Sequence, residues 1–163
     1  MISMIVAQSS DGVIGKDGEL PWHNKAELSY FKNKTSHEIV VMGRKTWESI
    51  GSRPLPLRIN LVLSSQELFE PLAHYETYLM HSVEEVLAFY EADGEHNLYV
   101  IGGKEVYEAF KPYIQNVIVS TVRGVYEGDT YISIRDYVGN AQPYHTFYGE
   151  GLIVNYYEVK NGL

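Results

Sequence analysis

Two stretches of this chain pass from a short apolar run through glycine directly into a helical pattern. Residues 39–42 lead into Gly43, and residues 97–101 lead into Gly102 and Gly103. A buried strand followed at once by a helix is the unit from which parallel sheets are built, because parallel neighbours need a crossover connection. The feature therefore predicts an α/β fold.

The other apolar runs extend this pattern along the chain. Strands are predicted over residues 2–7, 39–42, 59–63, 77–80, 97–101, 117–122, 144–148 and 152–160. Helices are predicted over residues 25–34, 43–50, 83–91 and 104–110. Ser82 and Glu85 look like a capping box for the third helix, and Pro112 ends the fourth.

This order of elements predicts a three-layer α/β architecture. Strands alternate with helices at first, and strands alone follow. We expect a central, mixed, mostly parallel sheet with helices on both faces and an antiparallel C-terminal strand pair. Because no repeat or linker divides the chain, residues 1–163 are expected to form one domain.

Charge and composition argue against several classes of function. The chain has 13 Lys and Arg against 21 Asp and Glu, and its net charge of −8 disfavours binding to nucleic acids or anionic membranes. It has no cysteine, so disulfides and thiolate metal sites are impossible. The N-terminal run has no basic flank and is too short for a signal or membrane segment. We expect a cytoplasmic protein, and nothing in the sequence requires more than a monomer.

Glu27 is the acidic residue that most resembles a functional group. On a helix over residues 25–34 its neighbours would be apolar, namely Trp22, Leu28 and Phe31. A solvated surface glutamate is the alternative interpretation, and for an arbitrary glutamate it would be preferred. The Gly-rich loop before Glu27 and the cation-bearing loops after it favour a catalytic or ligand-anchoring role.

Four predicted strand ends carry residues suited to a ligand that contains phosphate. Ligands of open α/β sheets bind beyond the carboxyl ends of the strands, where helix N-termini offer unpaired amides. The features at these ends are the Gly-rich loop 8–19, Gly43-Arg44-Lys45-Thr46, Ser64-Ser65 and Gly102-Gly103. Arg44 with Ser64 could hold the further phosphate that distinguishes NADP from NAD. For Gly102-Gly103 alone, a tight turn is the alternative.

Other kinds of catalytic site have no support in the sequence. Walker, Gly-x-Gly-x-x-Gly and Gly-x-Ser-x-Gly motifs are absent. The six histidines are scattered without metal-ligand spacing, so no metal site is predicted. A half-buried carboxylate beside phosphate pockets is the pattern expected of a redox enzyme that uses a dinucleotide.

The order and spacing of several short motifs are similar to those of a known family. The motifs are Asp11-Gly12-Val13-Ile14-Gly15, Leu20-Pro21-Trp22, Glu27-Leu28 with Phe31-Lys32, residues 41–51, Arg53-Pro54-Leu55-Pro56, Leu63-Ser64-Ser65, Val100-Ile101-Gly102-Gly103 and Glu127-Gly128-Asp129-Thr130. Over nearly its whole length the chain resembles dihydrofolate reductase of the chromosomal bacterial type. The resemblance implies an eight-stranded sheet with four helices. It also implies NADPH-dependent reduction of 7,8-dihydrofolate to 5,6,7,8-tetrahydrofolate, with hydride transfer to C6 and protonation at N5, which serves one-carbon metabolism and thymidylate synthesis.

The resemblance implies roles for residues on the substrate side. Glu27 would accept hydrogen bonds from the pterin and favour protonation at N5, and burial should raise its pKa by desolvation. The other catalytic positions are Leu20, Trp22 and Ser120. Arg58 would fork onto the α-carboxylate of the substrate's glutamate tail. The further substrate contacts that the resemblance implies are Ile5, Leu28, Phe31, Lys32, Ile50, Arg53, Leu55 and Ile101.

On the cofactor side, the resemblance implies NADPH along the strand ends. The groups matched to its 2′-phosphate and pyrophosphate are Arg44, Lys45, Thr46, Ser64 and Ser65. Gly102-Gly103 matches a glycine pair that is usually cis, and residues 8–23 match a lid that Asp129 would tie down. The further cofactor contacts implied are Ala7, Val13, Ile14, Gly15, Lys16, Gly18, Gly43, Leu63, Ile101, Lys104, Glu105, Val106 and Tyr107.

Two alternatives and several departures from the family pattern accompany this interpretation. A riboflavin-pathway pyrimidine reductase of the same fold would bind a phosphoribosyl group and has no reason for Glu27 and Arg58 at these positions. A catalytically silent nucleotide-binding protein would have no use for a buried acid. Leu20 stands where Met is frequent and Ser120 where Thr is common, and one extra residue in the preceding turn could displace Arg53 outward.

Overall fold

A computed structural model describes residues 1–67 and 76–160 of the chain. Its strands are β1 Ile2–Ser9, β2 Val13–Gly15, β3 Ile39–Gly43, β4 Ile59–Leu63, β5 Thr77–Met80, β6 Leu98–Val100, β7 Asn116–Val122, β8 Thr130–Tyr131, β9 His145–Gly149 and β10 Leu152–Glu158. Its helices are α1 Lys25–Thr35, α2 Arg44–Ser49, α3 Val83–Asp93, α4 Lys104–Phe110 and α5 Arg135–Val138, with a 3₁₀ turn at Lys111–Tyr113.

The main sheet confirms the predicted α/β architecture. It has eight strands in the order β5-β4-β3-β6-β1-β7-β10-β9. Neighbours from β5 to β7 pair in parallel, whereas β10 runs antiparallel to both β7 and β9. The sheet is therefore mixed and mostly parallel, with an antiparallel C-terminal pair. That the whole chain forms one domain stays a prediction.

Helices cover both faces of this sheet because its central strands are apolar on both sides. Residues 39–42 of β3 are all fully buried, as expected for a continuous apolar run in a parallel strand. Alternate residues of β1 face opposite ways: Met4 and Val6 pack with α3, α4 and α5, and Ile5 packs with α1 and α2. Within the described residues, no helix is long and apolar enough to cross a membrane.

The start of α3 partly matches the predicted capping box. Ser82 Oγ accepts a hydrogen bond from the amide of Glu85 at 3.1 Å, as predicted. The Glu85 carboxylate accepts from the amide of His81 at 2.9 Å, one residue further back than the motif requires. The prediction for the end of the fourth helix is confirmed, because α4 ends at Phe110, before Pro112.

Two predictions about segments outside the main sheet were wrong. The segment 8–19 is not loop throughout, because β2 lies within it and pairs antiparallel with β8. The C-terminal region is not made of strands alone, because it contains α5. With three, two and four residues respectively, β2, β8 and α5 are too short to show a periodicity in the sequence.

Candidate active site

A cleft of about 1480 Å³ lies at the carboxyl ends of the parallel strands. Its walls come from β1, the loop after β1, the start of α1, and the segments that follow β3, β4, β5 and β6. This is the edge of the sheet where strand topology predicts ligand binding. Every predicted site residue lines the cleft except Val13, Lys16 and Arg53.

Glu27 is placed in the first turn of α1 by the N-cap of that helix. Asn24 Oδ1 accepts a hydrogen bond from the Glu27 amide at 3.0 Å, so the helix begins with this carboxylate at its inner face. Only 6% of Glu27 is exposed, so the surface interpretation is wrong. Burial raises the pKa of Glu27 to about 7, because the charged form loses its hydration.

Two buried polar atoms in the cleft wall find no hydrogen-bond partner within residues 1–67 and 76–160. They are Glu27 Oε2 and Trp22 Nε1. The first is an acceptor when ionised and the second is a donor. A buried polar group without a partner costs roughly 1–3 kcal/mol. A ligand that offers both an N–H and an acceptor would satisfy the pair.

The apolar part of the cleft is built on the main sheet. β1 and β7 place Ala7 beside Ser120, and both residues line the cleft. Ile5 is only 4% exposed and also lines the cleft, so it belongs to the core and to the wall at once. At the rim, Leu28 is 56% exposed, and Phe31 lies on the same side of α1 as Glu27. The cleft therefore offers a flat ring apolar contacts next to a buried acid.

Arg58 is a buried cation held by its neighbours. Its Nε donates to the carbonyl of Pro56 at 2.9 Å, and Nη1 donates to Thr35 Oγ1 at 3.1 Å. The guanidinium carbon lies 5.9 Å from the centre of the Phe31 ring. Burial lowers the pKa of Arg58, yet a guanidinium stays charged at neutral pH. These contacts fix the direction in which a carboxylate can be bound.

A glycine-lined surface faces this acidic pocket from β3 and β6. The Gly102-Gly103 peptide bond is cis, as the resemblance implies, and the Gly43 amide donates to the Gly102 carbonyl at 2.9 Å. A Cβ on Gly43 would lie 2.9 Å from a methyl carbon of Val106, and one on Gly102 would lie 3.2 Å from Tyr107 Oη. Only glycine fits here, and it leaves backbone exposed to a ligand.

The far end of the cleft is suited to anions. Arg44 pairs with Glu48 at 3.1 Å, both groups being partly exposed, and Lys45 and Lys104 line the same region. Ser64 Oγ accepts from the Gln66 amide at 3.1 Å. The structure thus brings together the residues that the resemblance assigns to phosphate groups.

Sequence reasoning missed several residues of the cleft wall. After β4 and β5 these include Gln66, His81, Ser82 and Val83, and elsewhere they include Val6, Glu19, His23, Asn24, Ser49, Thr130 and Tyr131. Asp129, which was predicted only to tie down the lid, also lines the cleft. His81 Nδ1 lies 3.1 Å from the Ser64 carbonyl. A signal was available for His81, since it directly follows β5 and the carboxyl ends of parallel strands share one edge.

Three predicted cofactor or substrate contacts do not line the cleft. Val13 is fully buried against Gly128, where a Cβ would lie only 2.2 Å from a methyl carbon of Val13. The ammonium group of Lys16 pairs with Glu127 at 3.1 Å instead. Arg53 is exposed, in agreement with the outward displacement that the extra residue in its turn predicts.

The predicted tie between the lid and the 127–130 loop is present. Asp129 Oδ2 accepts a hydrogen bond from the Asp17 amide at 2.8 Å, and the Asp129 amide donates to the Gly15 carbonyl at 3.0 Å. The bond from the Asp17 amide lowers the pKa of Asp129, which stays ionised. Pairing of β2 with β8 joins the same two segments, so the lid is held at several points.

In the part of the chain that the structure describes, no group of three or more His, Asp or Glu residues could hold a metal ion.

Comparison with known proteins gives one consistent family. The family model described as dihydrofolate reductase matches residues 1–142. The dihydrofolate reductase of Haemophilus influenzae is 40% identical over 129 residues, which are 79% of this chain and 76% of that protein. The dihydrofolate reductase of Ureaplasma parvum is 31% identical over 160 residues, 98% of either chain.

A solved structure matches the fold as well as the sequence. Dihydrofolate reductase from Enterococcus faecalis, complexed with NADP(H) and RAB-propyl, has a TM-score of 0.82 and 35% identity. The match covers 99% of this chain and 97% of the other. Together with a cleft built around Glu27 and a glycine-lined surface, these matches show that the chain belongs to the dihydrofolate reductase family.

Proposed function

We propose that the cleft catalyses NADPH-dependent reduction of 7,8-dihydrofolate to 5,6,7,8-tetrahydrofolate. The observation that carries the proposal is the buried Glu27 carboxylate in the same cleft as the Trp22 indole N–H, each with an atom that finds no hydrogen-bond partner among the described residues. A pterin ring presents both N–H donors and acceptors along one edge. The relatives named dihydrofolate reductase support the same activity for this chain.

The residues of the cleft fit the parts of dihydrofolate one after another. Glu27 accepts hydrogen bonds from the 2-amino group and N3 of the pterin, and Ser120 offers a hydroxyl nearby. Apolar walls that include Ile5, Phe31 and Leu28 contact the pterin and benzoyl rings. Arg58 binds the α-carboxylate of the glutamate tail, because it lines the cleft, is held by its bonds to Pro56 and Thr35, and keeps further N–H donors for a fork.

The residues at the strand ends fit NADPH. Gly43 and Gly102 expose backbone where a side chain would be crowded, so a ligand can approach closely. We assign the 2′-phosphate and the pyrophosphate to the cations and hydroxyls at the far end, which are Arg44, Lys45, Thr46, Ser64 and Ser65. When bound, NADPH supplies the hydride.

Glu27 has a second role because of its burial. A pKa of about 7 leaves the carboxyl group partly protonated at neutral pH. The ionised carboxylate can therefore hold the pterin, and the neutral carboxyl group can favour a proton at N5. A single carboxylate suffices, because the protein otherwise contributes position and a water-poor surrounding.

The lid completes the site. Leu20 and Trp22 lie at its end and line the cleft, and Asp129 ties its middle to the 127–130 loop. We assign to the lid the exclusion of water from the nicotinamide and the pterin. We also propose that the enzyme acts as a cytoplasmic monomer, in line with the absence of cysteine and with a site built from one chain.

A direct assay tests the proposed function. Purified protein is mixed with NADPH alone, with NADPH and 7,8-dihydrofolate, and with NADPH and a phosphoribosylated pyrimidine of the riboflavin pathway, while NADPH absorbance is followed. We expect oxidation only with dihydrofolate. Turnover of the pyrimidine, or no turnover with any substrate, would contradict the proposal.

A further inference from the structure

The rings of Tyr126 and Trp22 meet in an edge-to-face contact. The two ring centres are 5.6 Å apart and the planes meet at 61°. Edge-to-face contacts of this kind prefer one relative orientation, since the positive edge of one ring meets the negative face of the other. Tyr126 does not line the cleft, and it comes from the segment between β7 and β8.

The backbone behind Tyr126 holds its ring in place. Gly124 has a φ of +122°, and a Cβ on it would lie 3.1 Å from Tyr126 Cε2. The Gly124 carbonyl accepts a hydrogen bond from the amide of Ser10, the residue after β1, at 3.2 Å. The amide of Arg123 donates to the Gly151 carbonyl at 2.9 Å. The Tyr126 ring therefore lies between an anchored backbone and the indole.

Trp22 needs such support because its own backbone provides little. It belongs to no helix or strand, and it precedes the first residue of α1. Its side chain is 5% exposed, yet Nε1 has no hydrogen-bond partner within residues 1–67 and 76–160. No hydrogen bond of the described protein thus fixes the plane of the indole, and packing against its neighbours must do so.

We propose that Tyr126 is a positioning residue for the reaction: its ring sets the plane of the Trp22 indole, and with it the direction of Nε1–H in the wall of the cleft that Glu27 also lines. Tyr126 acts through Trp22 and touches neither substrate nor cofactor. The contact also joins the end of the lid to the segment that carries Asp129. This inference rests on the proposed function for its kinetic part, but its geometric part can be tested without turnover.

The test uses the two tryptophans of the chain as separate probes. Protein labelled with 5-fluorotryptophan gives one fluorine NMR signal for Trp22 and one for Trp47, assigned with Trp22→Phe. Trp47 is buried in α2 on the same side of the sheet and serves as the internal reference. The variants are Tyr126→Leu, Tyr126→Met and Tyr126→Phe. Tyr113→Leu, a half-exposed tyrosine away from the cleft, is the matched control.

We expect the Leu and Met variants to shift or broaden the Trp22 signal and leave the Trp47 signal in place. Their single-turnover hydride transfer should fall about tenfold, while the KM for NADPH stays nearly constant. Tyr126→Phe keeps the aromatic ring and should retain both the wild-type signal and the wild-type rate. Tyr113→Leu should change neither.

Several results would overturn the inference. An unchanged Trp22 signal in folded Tyr126→Leu or Tyr126→Met would mean that other contacts orient the indole. If Tyr126→Phe behaves like Tyr126→Leu, the aromatic ring of residue 126 is not what orients the indole. If neither Leu nor Met gives a folded protein, Tyr126 is a stability residue and the inference is rejected. If wild-type protein does not reduce dihydrofolate, the proposed function fails, whereas the fluorine signals still decide the geometry.

Discussion

Glu27 Oε2 and Trp22 Nε1 are the two buried side-chain polar atoms for which residues 1–67 and 76–160 provide no hydrogen-bond partner. One is an acceptor and the other a donor, and both residues line one cleft. Unsatisfied groups of this kind cost roughly 1–3 kcal/mol each, so they are rare in folded proteins. The two atoms therefore mark the part of the cleft wall where a ligand edge with complementary groups can be bound.

A first prediction concerns stability and pH. Burial raises the pKa of Glu27 from 4.5 in its ordinary state to about 7 in the folded protein. The folded state therefore favours the neutral carboxyl, and stability is lost as pH rises from about 4.5 towards and through about 7. Relative to wild type, Glu27→Gln should gain up to about 3 kcal/mol in the free energy of unfolding between about pH 5 and about pH 8.

Chemical denaturation at the two pH values measures this difference. Glu91→Gln, on the exposed face of α3, controls for the loss of one negative charge. If the difference in the free energy of unfolding between Glu27→Gln and wild type stays constant with pH, or shrinks as pH rises, Glu27 is not a desolvated acid.

A second prediction concerns the choice between NADPH and NADH. Arg44→Ala should raise the dissociation constant of NADPH about 10-fold to 100-fold, because a charge-assisted hydrogen bond contributes roughly 1.5–3 kcal/mol. The dissociation constant of NADH should change little, since NADH lacks the 2′-phosphate. Arg53→Ala is the matched control, because Arg53 is exposed and does not line the cleft. Equal weakening of both cofactors would place the 2′-phosphate elsewhere.

A third prediction concerns the glutamate tail of the substrate. Arg58→Lys should raise the KM for dihydrofolate about tenfold, because a lysine cannot form the two parallel bonds of a guanidinium fork. The KM for a dihydropterin without the glutamate tail should stay the same. Arg53→Lys should leave both values unchanged, which also tests the finding that Arg53 lies off the cleft. If Arg58→Lys raises the KM equally for dihydrofolate and for the dihydropterin without the tail, Arg58 stabilises the fold rather than binding the tail.

The architecture and the acid could be predicted because their signals are local. Runs such as residues 39–42 are apolar throughout, which is typical of parallel strands buried on both faces. Glu27 follows an N-cap asparagine and stands among apolar residues at helical spacing. Strand order then places the ends of β1, β3, β4 and β6 at one edge, so the cleft follows from topology.

The missed features depend on contacts between distant parts of the chain. The short strands β2 and β8 are formed by pairing with each other. Lys16 does not line the cleft because its ammonium group pairs with Glu127. The edge-to-face contact of Tyr126 with Trp22 has no signature in either segment of sequence. His81 was the exception, since its place at the end of β5 could have been used.

The most direct test of the account measures hydride transfer in a single turnover for wild type and Glu27→Gln across neutral pH. For wild type we expect the rate to decline as pH rises through about 7, where Glu27 loses its proton. For Glu27→Gln we expect a loss of about 10²–10⁴ at neutral pH with NADPH affinity nearly intact. Hydride transfer at the wild-type rate in Glu27→Gln, or a parallel loss of NADPH binding, would contradict the role assigned to this acid.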